Sequence, residues 1–259
     1  MKVVLFCGGL GMRLRMREYS DEIPKPMVEI GYRPLLWHVM KYYASFGHKD
    51  FILCLGYRGD IIKKYFLNYV ETTSNDFVLS EGGKKIKLMD SDIQDWRITF
   101  VDTGLHSNIG TRLKATEKYL EGEEVFLANY SDGLSDLPLE KMLEHFYRYN
   151  KVACFLAVHP SLSAHVVTFN HNSCVNAVQT FKKAGVWING GYFIFKRDIF
   201  KYISNGEELV EKPFQRLILE KQLLAYKYNG FWVPMDTFKD KYLLDRIYSN
   251  GKAPWETWK

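Results

Sequence analysis

The sequence predicts an α/β fold with a Rossmann-like mixed, mostly parallel sheet flanked by helices and a small β insertion. Short apolar runs rich in β-branched and aromatic residues alternate with helical patterns through the first half of the chain. The connections between them are short, which favours parallel strands joined by right-handed crossovers. The chain has 259 residues, 47% of them hydrophobic and 25% charged, which suits one domain of this class.

The first strand and helix units carry clear boundary signals. Residues 3–7 and 51–55 are predicted to be buried strands, because apolar β-formers fill them and glycines follow them. A helix is expected to begin at Pro34 and to end at Gly47, since its apolar residues fall on one helical face. A second helix is expected after Gly56, with apolar residues recurring as far as position 69.

Residues 72–95 break this rhythm, because they mix polar residues and glycines with short apolar alternations; we expect a hairpin-like insertion there. No repeat, low-complexity segment or linker is visible, so one domain spanning 1–259 is predicted. The remaining predicted elements are strand 98–101, a helix starting near Thr111, strand 125–130, a helix from Pro138 to Tyr149, strands 152–158, 166–169, 175–181 and 192–195, helices 197–204 and 213–220, strand 224–228 and helix 237–249.

Charge and composition favour some classes of protein over others. The formal charge of +5 is mild, and no run of lysines and arginines resembles a nucleic-acid-binding stripe. No segment approaches the ~20 apolar residues of a membrane span, and glycines interrupt the N-terminal apolar run too early for a signal peptide. The cysteines lack metal-binding spacing, which favours a reducing cytoplasm; they are Cys7, Cys54, Cys154 and Cys174.

A glycine-rich turn follows the first strand. Gly8, Gly9 and Gly11 are succeeded by Arg13, and Lys25 stands between two prolines. Successive backbone N–H groups in such a turn form a concavity that suits phosphate oxygens, and the two cations would add charge. A tight turn with two solvated basic residues is the alternative, but the full spacing favours a phosphate site.

Two common phosphate loops do not match this turn. A Walker loop ends in glycine, lysine and serine or threonine, and that ending is missing. The Rossmann fingerprint fails because Leu14 replaces its third glycine, and no acidic residue closes the strand at 51–55. An NAD-linked oxidoreductase is therefore disfavoured.

The sequence G-G-L-G-M-R-L, followed by K-P-M, resembles the signature of the sugar-phosphate nucleotidylyltransferases. The resemblance implies a nucleotide-diphospho-sugar transferase-like fold, with a nucleotide-binding half at about 1–135 and an acceptor-binding half at about 136–259. It also implies attack of a phosphate oxygen on the α-phosphorus of a nucleoside triphosphate, with release of pyrophosphate. Arg13 and Lys25 match the two catalytic cations of the family. Arg13 would hold the departing pyrophosphate, and Lys25 would bridge the reacting phosphates.

Further motifs point to the base. V-D-T-G at 101–104, G-T-R-L-K at 110–114 and the closing G-K-A-P-W-E-T-W resemble the glucose-1-phosphate cytidylyltransferase branch, which implies CTP as the nucleotide. Arg112 could donate to the O2 and N3 acceptors of cytosine, or it could be a helix-surface arginine. The predicted nucleotide-binding residues are Phe6, Cys7, Gly8, Gly9, Leu10, Gly11, Met12, Arg13, Lys25, Thr103, Ser107, Arg112 and Ser131.

Two aspartates match the magnesium ligands of the family. Asp132 follows the strand at 125–130, where open α/β sheets bind ligands, and Asp236 follows the short run F-W-V-P-M. Mg²⁺ is commonly held by one or two carboxylates together with phosphate oxygens, so this pair is enough. Asp236 could instead be a helix N-cap, or serve as both.

The acceptor side departs from the family pattern. An E-K-P motif of the family falls on Gln179, Thr180 and Phe181, and the glycine of an R-F-G motif falls on Ala164. Y-G-D-G has become Y-S-D-G at 130–133, and Lys182 or Lys183 could replace the missing cation. The predicted acceptor-binding residues are Ala164, Gln179, Thr180, Lys182, Asn189 and Gly190.

These departures lead to the hypothesis of a cytidylyltransferase whose acceptor is another sugar or polyol phosphate, a phosphonate or a phosphorylated amino-acid derivative. Glucose 1-phosphate as the acceptor is one alternative, and a catalytically idle nucleotide-binding relative is another. The family also implies capsule or lipopolysaccharide precursor synthesis. A homo-oligomer is expected from the resemblance and from Trp255 and Trp258, although these could pack on their own subunit.

Overall fold

The computed structural model describes residues 1–9, 23–160 and 164–259, so the predictions for Leu10, Gly11, Met12 and Arg13 lie outside the described residues. Within the described ranges there are fifteen strands and six α-helices. The strands are β1 (Lys2–Phe6), β2 (Glu29–Ile30), β3 (Arg33–Pro34), β4 (Asp50–Leu55), β5 (Phe77–Ser80), β6 (Lys85–Leu88), β7 (Arg97–Asp102), β8 (Val125–Asn129), β9 (Gly133–Ser135), β10 (Ala153–Val158), β11 (Val166–Phe169), β12 (Val175–Gln179), β13 (Ile188–Lys196), β14 (Leu223–Lys227) and β15 (Trp232–Pro234). The helices are α1 (Leu35–Ser45), α2 (Gly59–Leu67), α3 (Ile109–Ala115), α4 (Leu139–Tyr149), α5 (Lys212–Leu219) and α6 (Phe238–Ser249).

Seven strands form the central sheet in the order β14-β10-β13-β8-β1-β4-β7. The pairs β1–β4, β1–β8, β4–β7 and β10–β14 are parallel, whereas β13 runs antiparallel to both of its neighbours. The predicted mixed, mostly parallel sheet is therefore confirmed. Because the strands beside β1 are parallel to it, their carboxyl ends meet at one edge, where open α/β sheets bind ligands.

Two hydrophobic clusters cover the faces of this sheet. The strand residues of β1 alternate between them: Val3 and Leu5 pack with α1 and α4, and Val4 and Phe6 pack on the other face. Buried apolar surface on both faces accounts for the nearly continuous apolar runs of the central strands.

The predicted insertion is the antiparallel hairpin of β5 and β6. Its base is anchored by the buried carboxylate of Asp92, which lies 3.5 Å from the guanidinium of Arg33 and 3.2 Å from the ammonium of Lys41. Tyr69 also donates to Asp92 at 2.9 Å, from just beyond the end of α2. These contacts hold the insertion to the main body through charge and hydrogen bonds.

The C-terminal aromatic residues pack on their own chain. Trp255 is fully buried, and its indole N–H donates to Nδ1 of His38 at 3.3 Å. Trp258 lies edge-on to Trp37 of α1, with 5.9 Å between the ring centroids. This intrachain packing is the alternative that the sequence left open for the tail.

Most predicted elements agree with the structure to within a few residues, and the exceptions are short. The helix predicted for 197–204 is a 3-10 helix at Arg197–Lys201. The strand predicted for 192–195 is longer, since β13 begins at Ile188. Strand β12 ends at Gln179, two residues earlier than predicted. Among the described residues, no helix is both long enough and apolar enough to cross a membrane.

Candidate active site

Lys25 and the two predicted metal-ligating aspartates form one cluster beside the carboxyl end of β8. The ammonium nitrogen of Lys25 lies 3.0 Å from Oδ2 of Asp132 and 2.6 Å from Oδ1 of Asp236. The side chain of Lys25 is 14% exposed, and those of Asp132 and Asp236 are 36% and 38% exposed. The structure brings these three residues together, although Asp132 and Asp236 are 107 and 211 positions from Lys25 along the chain.

A short two-stranded ladder places the two carboxylates side by side. Strand β9 begins directly after Asp132 and pairs antiparallel with β15, which ends two residues before Asp236. The backbone N–H of Met235 donates to the carbonyl of Asp132 at 2.7 Å and extends this pairing to the site itself. Backbone hydrogen bonds thus hold the two segments that carry these carboxylates side by side.

Asp236 is not the N-cap of the helix that follows. Thr237 caps α6 and forms a reciprocal capping box with Asp240. The backbone N–H of Asp236 donates to Oδ2 of Asp240 at 3.2 Å. The cap interaction uses the backbone of Asp236 and leaves its carboxylate for the contact with Lys25, so the predicted N-cap alternative is wrong.

The charges in this cluster support one another. Burial alone would lower the pKa of Lys25, but the charges of Asp132 and Asp236 outweigh burial and raise that pKa above its ordinary value. Burial raises the pKa of Asp132, and the Lys25 ammonium opposes that rise. Lys25 is therefore a firmly protonated cation between two carboxylates.

The carboxylate pair fits a divalent cation of the magnesium type. Hard oxygen ligands suit Mg²⁺, which usually takes one or two carboxylates and completes its coordination with water and substrate phosphate. The ammonium of Lys25 stands in for such a cation here, because it contacts an oxygen of each carboxylate. Among the described residues, no group of three or more histidine, cysteine or acidic side chains could hold a metal, so the phosphates would have to complete the site.

Arg112 is buried beneath the glycine turn rather than exposed on its helix. Its guanidinium donates to four neutral oxygens: the carbonyls of Leu55, Gly8 and Leu105 at 3.1, 2.9 and 3.3 Å, and Oγ1 of Thr103 at 2.7 Å. The predicted alternative of a helix-surface arginine is therefore wrong. Burial lowers the pKa of Arg112, yet arginine remains charged in proteins.

Glycine is required where this guanidinium contacts the backbone. A Cβ on Gly8 would lie 2.1 Å from a nitrogen of Arg112, and a Cβ on Gly56 would lie 2.7 Å from the carbonyl oxygen of Gly8. Arg112 thus ties the turn after β1 to the ends of β4 and β7. Its donation to cytosine remains a prediction, and most of its hydrogen-bonding capacity is already used by protein oxygens.

Thr103 and Ser107 belong to the hydrogen-bond network around Arg112. Thr103 is buried and donates its hydroxyl to the carbonyl of Leu55 at 2.7 Å, while Ser107 donates to the carbonyl of Thr103 at 2.5 Å. Ser131 is also buried, with a φ of 60°, the left-handed region that favours glycine. Its hydroxyl oxygen lies 3.7 Å from Sγ of Cys7. The glycine of the family motif Y-G-D-G matches this backbone conformation.

Two cavities adjoin the cluster, and they share Tyr130 and Asp132. The first, of about 260 Å³, opens at the glycine turn. It is lined by Phe6, Cys7, Gly9, Lys25, Pro26, Ile109, Tyr130 and Asp132. The second, of about 450 Å³, lies on the far side of Tyr130. It is lined by Tyr130, Asp132, Pro160, Phe181, Val186, Ile188, Asn189, Gly190, Trp232, Pro234 and Asp236.

Tyr130 forms the wall between the two cavities. Its hydroxyl accepts a hydrogen bond from the amide of Asn189 at 3.2 Å, and its ring meets that of Phe193 edge-on. Gly191 has a φ of 76°, and a Cβ there would lie 2.7 Å from the Tyr130 ring. The second glycine of I-N-G-G therefore makes room for this wall.

The predicted acceptor-side residues are only partly together. Asn189 and Gly190 line the second cavity. Ala164 and Thr180 are exposed and are not among its described lining residues, and neither is Gln179, which pairs with Val166 in the β11–β12 ladder.

The two candidate replacement lysines, Lys182 and Lys183, lie in the turn after β12 and are exposed. The register irregularity of the β11–β12 ladder is at Thr168/Phe169, away from these lysines. Their contact with an acceptor remains a prediction.

Several residues that line the second cavity were not predicted from the sequence. From the sequence, Phe181 was identified only as the position at which the family motif E-K-P has proline. In the structure it lines the second cavity. Trp232 lines the same cavity and donates its indole N–H to the carbonyl of Gly190 at 2.8 Å. The motif F-W-V-P-M-D-T already placed Trp232 close to Asp236, and that proximity was a usable signal.

Comparisons with known proteins identify the family of the chain. The family model described as "Nucleotidyl transferase" matches residues 2–240. The chain belongs to this family. It is a nucleotidyltransferase, and it is similar over its full length to curated relatives of the same length.

Two relatives and one solved structure illustrate the similarity. The glucose-1-phosphate cytidylyltransferase of Salmonella typhimurium is 38% identical over 259 residues, covering 100% of both chains. The probable glucose-1-phosphate cytidylyltransferase of Bacillus subtilis is 32% identical over 260 residues, again covering 100% of both. A UDP-glucose pyrophosphorylase solved with UDP-glucose has a TM-score of 0.69 at 17% identity, covering 96% of this chain and 98% of that one. The last of these supports the fold alone.

Proposed function

We propose that this nucleotidyltransferase is a CTP-dependent cytidylyltransferase that transfers CMP to a sugar phosphate. The observation that carries the proposal is the cluster of Lys25, Asp132 and Asp236, held at the sheet edge between two cavities. The choice of cytidine is supported by the relatives named cytidylyltransferase, which match the whole chain at 38% and 32% identity.

In the proposed reaction, an oxygen of the acceptor phosphate attacks the α-phosphorus of CTP. The bond from the α-phosphorus to the bridging oxygen breaks, and pyrophosphate leaves with both electrons of that bond. Such a step depends chiefly on positioning and on neutralising the phosphate charges. Lys25 would contact the reacting phosphates, and Arg13 would hold the departing pyrophosphate.

Members of this family typically use a divalent metal, and we propose Mg²⁺ with Asp132 and Asp236 as its protein ligands. Bound there, Mg²⁺ would neutralise negative charge on the triphosphate. The first cavity would hold the nucleotide, because Gly9 and Lys25 line it. The second cavity would hold the acceptor, because it borders the same carboxylates from the other side.

Glucose 1-phosphate is the acceptor that the relatives support best, since both full-length relatives carry it in their names. A different phosphorylated acceptor is the second candidate, and the walls of the second cavity favour it. Its described lining has no cationic side chain, and seven of its side chains are apolar or aromatic: Tyr130, Pro160, Phe181, Val186, Ile188, Trp232 and Pro234. The lysine that the family motif would supply to a sugar phosphate is therefore missing from this described lining.

Pyrophosphate release tests the function directly. The purified chain is assayed with each of the four NTPs and a panel containing glucose 1-phosphate, other sugar and polyol phosphates, a phosphonate and a phosphorylated amino acid. We expect release with CTP to exceed that with the other nucleotides. Thr180→Lys places a lysine where the family motif E-K-P has one. Comparison of this variant with the parent tests whether the missing cation determines which acceptor is used.

The outcomes separate the candidates. Fast release with glucose 1-phosphate at a rate unchanged by Thr180→Lys supports glucose 1-phosphate and removes the second candidate. Release confined to another acceptor supports the second. CTP binding without release from any acceptor would favour the idle nucleotide-binding relative and contradict the proposed function.

We further propose a homo-oligomer in a reducing cytoplasm, as expected from the family resemblance and from four free cysteines. The hairpin of β5 and β6 supports the first part, because Val78, Leu79 and Ile86 are at least half exposed. Light scattering of the purified chain gives the mass, and a monomer at micromolar concentration would contradict this part.

A further inference from the structure

Lys25 contacts the same carboxylates that would hold a divalent cation. Its ammonium lies 2.6 Å from an oxygen of Asp236 and 3.0 Å from an oxygen of Asp132. Two carboxylates held this close repel each other unless a cation lies between them. In the protein without ligands, Lys25 supplies that charge from within the chain.

The backbone around the cluster leaves little room for the carboxylates to move apart. The β9–β15 pairing and the hydrogen bond from Met235 to Asp132 fix one side. The donation from the Asp236 backbone to Asp240 fixes the other. The mobile member is therefore the long side chain of Lys25, which extends from the short 3-10 turn Lys25–Met27.

We propose that Lys25 is a built-in counter-cation that competes with divalent metal for Asp132 and Asp236 in the free protein. Lys25 then turns to the phosphates when they are present, which gives its ammonium a new anionic partner. The second step rests on the proposed function, whereas the competition concerns only this chain and a metal ion. One consequence is that the free protein binds metal weakly. Lys25 must first give up its contacts with both carboxylates, and no phosphate is present to replace them.

The alternative is that Lys25 keeps its two contacts while metal binds the remaining oxygens, Oδ1 of Asp132 and Oδ2 of Asp236. The two possibilities differ in what removal of the ammonium does. Under competition, metal binding in the absence of nucleotide becomes tighter when the ammonium is deleted. Under independent binding, deletion removes only the repulsion between the ammonium and the metal, and metal leaves Lys25 in contact with both carboxylates.

Mn²⁺ serves as the probe, and its free concentration is measured by electron paramagnetic resonance without any nucleotide. The proteins are the full chain, Lys25→Met and the control Lys49→Met, which removes the same charge from an exposed pair with Asp95. We expect Lys25→Met to bind Mn²⁺ at least tenfold more tightly than the parent, and Lys49→Met to match the parent. Equal affinity in all three proteins, or weaker binding by Lys25→Met, would overturn the proposal.

A second measurement uses the unaltered chain, so that it does not depend on how the variant folds. Lysine acetylation by a trace of acetic anhydride is quantified by mass spectrometry with and without saturating Mn²⁺. We expect labelling of Lys25 to rise at least threefold with Mn²⁺, because the ammonium is released. Labelling of Lys227, an exposed residue at the end of β14, should stay constant. Unchanged labelling of Lys25 at saturation contradicts the proposal. Neither measurement contains CTP or an acceptor, so failure here leaves the proposed function untouched.

Discussion

Arg112 illustrates how a single buried charge can organise the glycine turn after β1. Its guanidinium donates four hydrogen bonds within the described part of the chain, and none of them goes to a carboxylate. The acceptors are neutral oxygens of Gly8, Leu55, Thr103 and Leu105. The charge of Asp102 acts on Arg112 and raises its pKa, which opposes the lowering by burial. A fixed cation in that position favours a polyanionic ligand, in addition to holding the turn in place.

Replacing Arg112 with methionine should impair both folding and nucleotide binding. Carbonyl and hydroxyl oxygens would lose their partners, so we expect the free energy of unfolding to fall by about 3 kcal/mol. The KM for the nucleotide should rise at least tenfold, because the turn at Gly8 is no longer held. Urea denaturation and initial-rate kinetics measure the two effects. Arg97→Met, at an exposed position, is the control, and stability equal to the parent in Arg112→Met would contradict this role.

Tyr130 offers a test of the wall between the cavities. Tyr130→Phe keeps the ring and removes only the hydroxyl that accepts from Asn189, so we expect a change of fivefold or less in either KM. Tyr130→Ala would join the two cavities, and the KM for the acceptor should rise at least tenfold. Initial rates at saturating concentration of the other substrate measure each value. Equal KM values in Phe and Ala variants would show that the ring does not separate the substrates.

At the scale of residues, the sequence selected the three charged residues that lie together in one cluster, whereas of its six predicted acceptor-binding residues Asn189 and Gly190 are among the described lining of the second cavity. Lys25, Asp132 and Asp236 could be found because they match motifs of the resembled family, and Asp132 also follows a predicted strand. The hydrogen bonds of Arg112 could not, because they join the ends of strands that are distant along the chain. Phe181 was overlooked because strand β12 ends at Gln179, and no periodicity fixes where a turn residue points.

The ladder of β9 and β15 is the element that brings Asp132 and Asp236 together. Trp232 connects this ladder to β13 through its hydrogen bond to the carbonyl of Gly190. The same residue lines the second cavity, where it forms part of the apolar wall. The element thus serves both as the support of the carboxylates and as one side of the proposed acceptor pocket.

Trp232→Phe should separate these two contributions. Loss of the indole N–H leaves the Gly190 carbonyl without that donor, so we expect the free energy of unfolding to fall by about 1 kcal/mol. The KM for the acceptor should rise several-fold, while the KM for the nucleotide stays within twofold of the parent. Thermal denaturation and two-substrate kinetics provide the values. An equal rise in both KM values would mean that Trp232 acts on the carboxylate cluster instead.

The elements themselves were largely predictable, because their signals are local. Helix α1 follows Pro34 and ends before Gly47, as the sequence indicated. The segment at Arg197–Lys201 shortened to a 3-10 helix, since short helices depend on tertiary packing more than on propensity. Tyr69 fell outside α2 because its hydroxyl contacts Asp92 from the following loop.

For the whole molecule, His38 makes stability depend on pH. Its Nε2 hydrogen is donated to the carbonyl of Ile30 at 2.9 Å, and its Nδ1 accepts from Trp255 at 3.3 Å. Both ring nitrogens are satisfied only in the neutral form. Burial lowers the pKa of His38 to about 4, from the ordinary value of 6.5.

The sign of the pH effect follows from these two values. Between pH 6.5 and 4 the unfolded chain binds a proton at position 38 that the folded chain does not, so stability falls as the pH falls. The full loss from this residue is about 3 kcal/mol. His38→Gln offers one donor and one acceptor without a titration, and its unfolding free energy should fall less steeply over this range. Urea denaturation at pH 7, 6, 5 and 4.5 gives the slopes; parallel slopes would exclude His38 as the cause.

The contact between His38 and Trp255 joins positions 217 residues apart. During synthesis, helix α1 emerges long before Trp255, whose indole covers His38. This face of the helix therefore stays uncovered until Trp255 has been made. Contacts of such long range are costly to form early, because a long loop has to close first. The packing of α1 therefore depends on a segment that is made 217 residues later, and a chain that lacks this segment should be readily cleaved by proteases at α1.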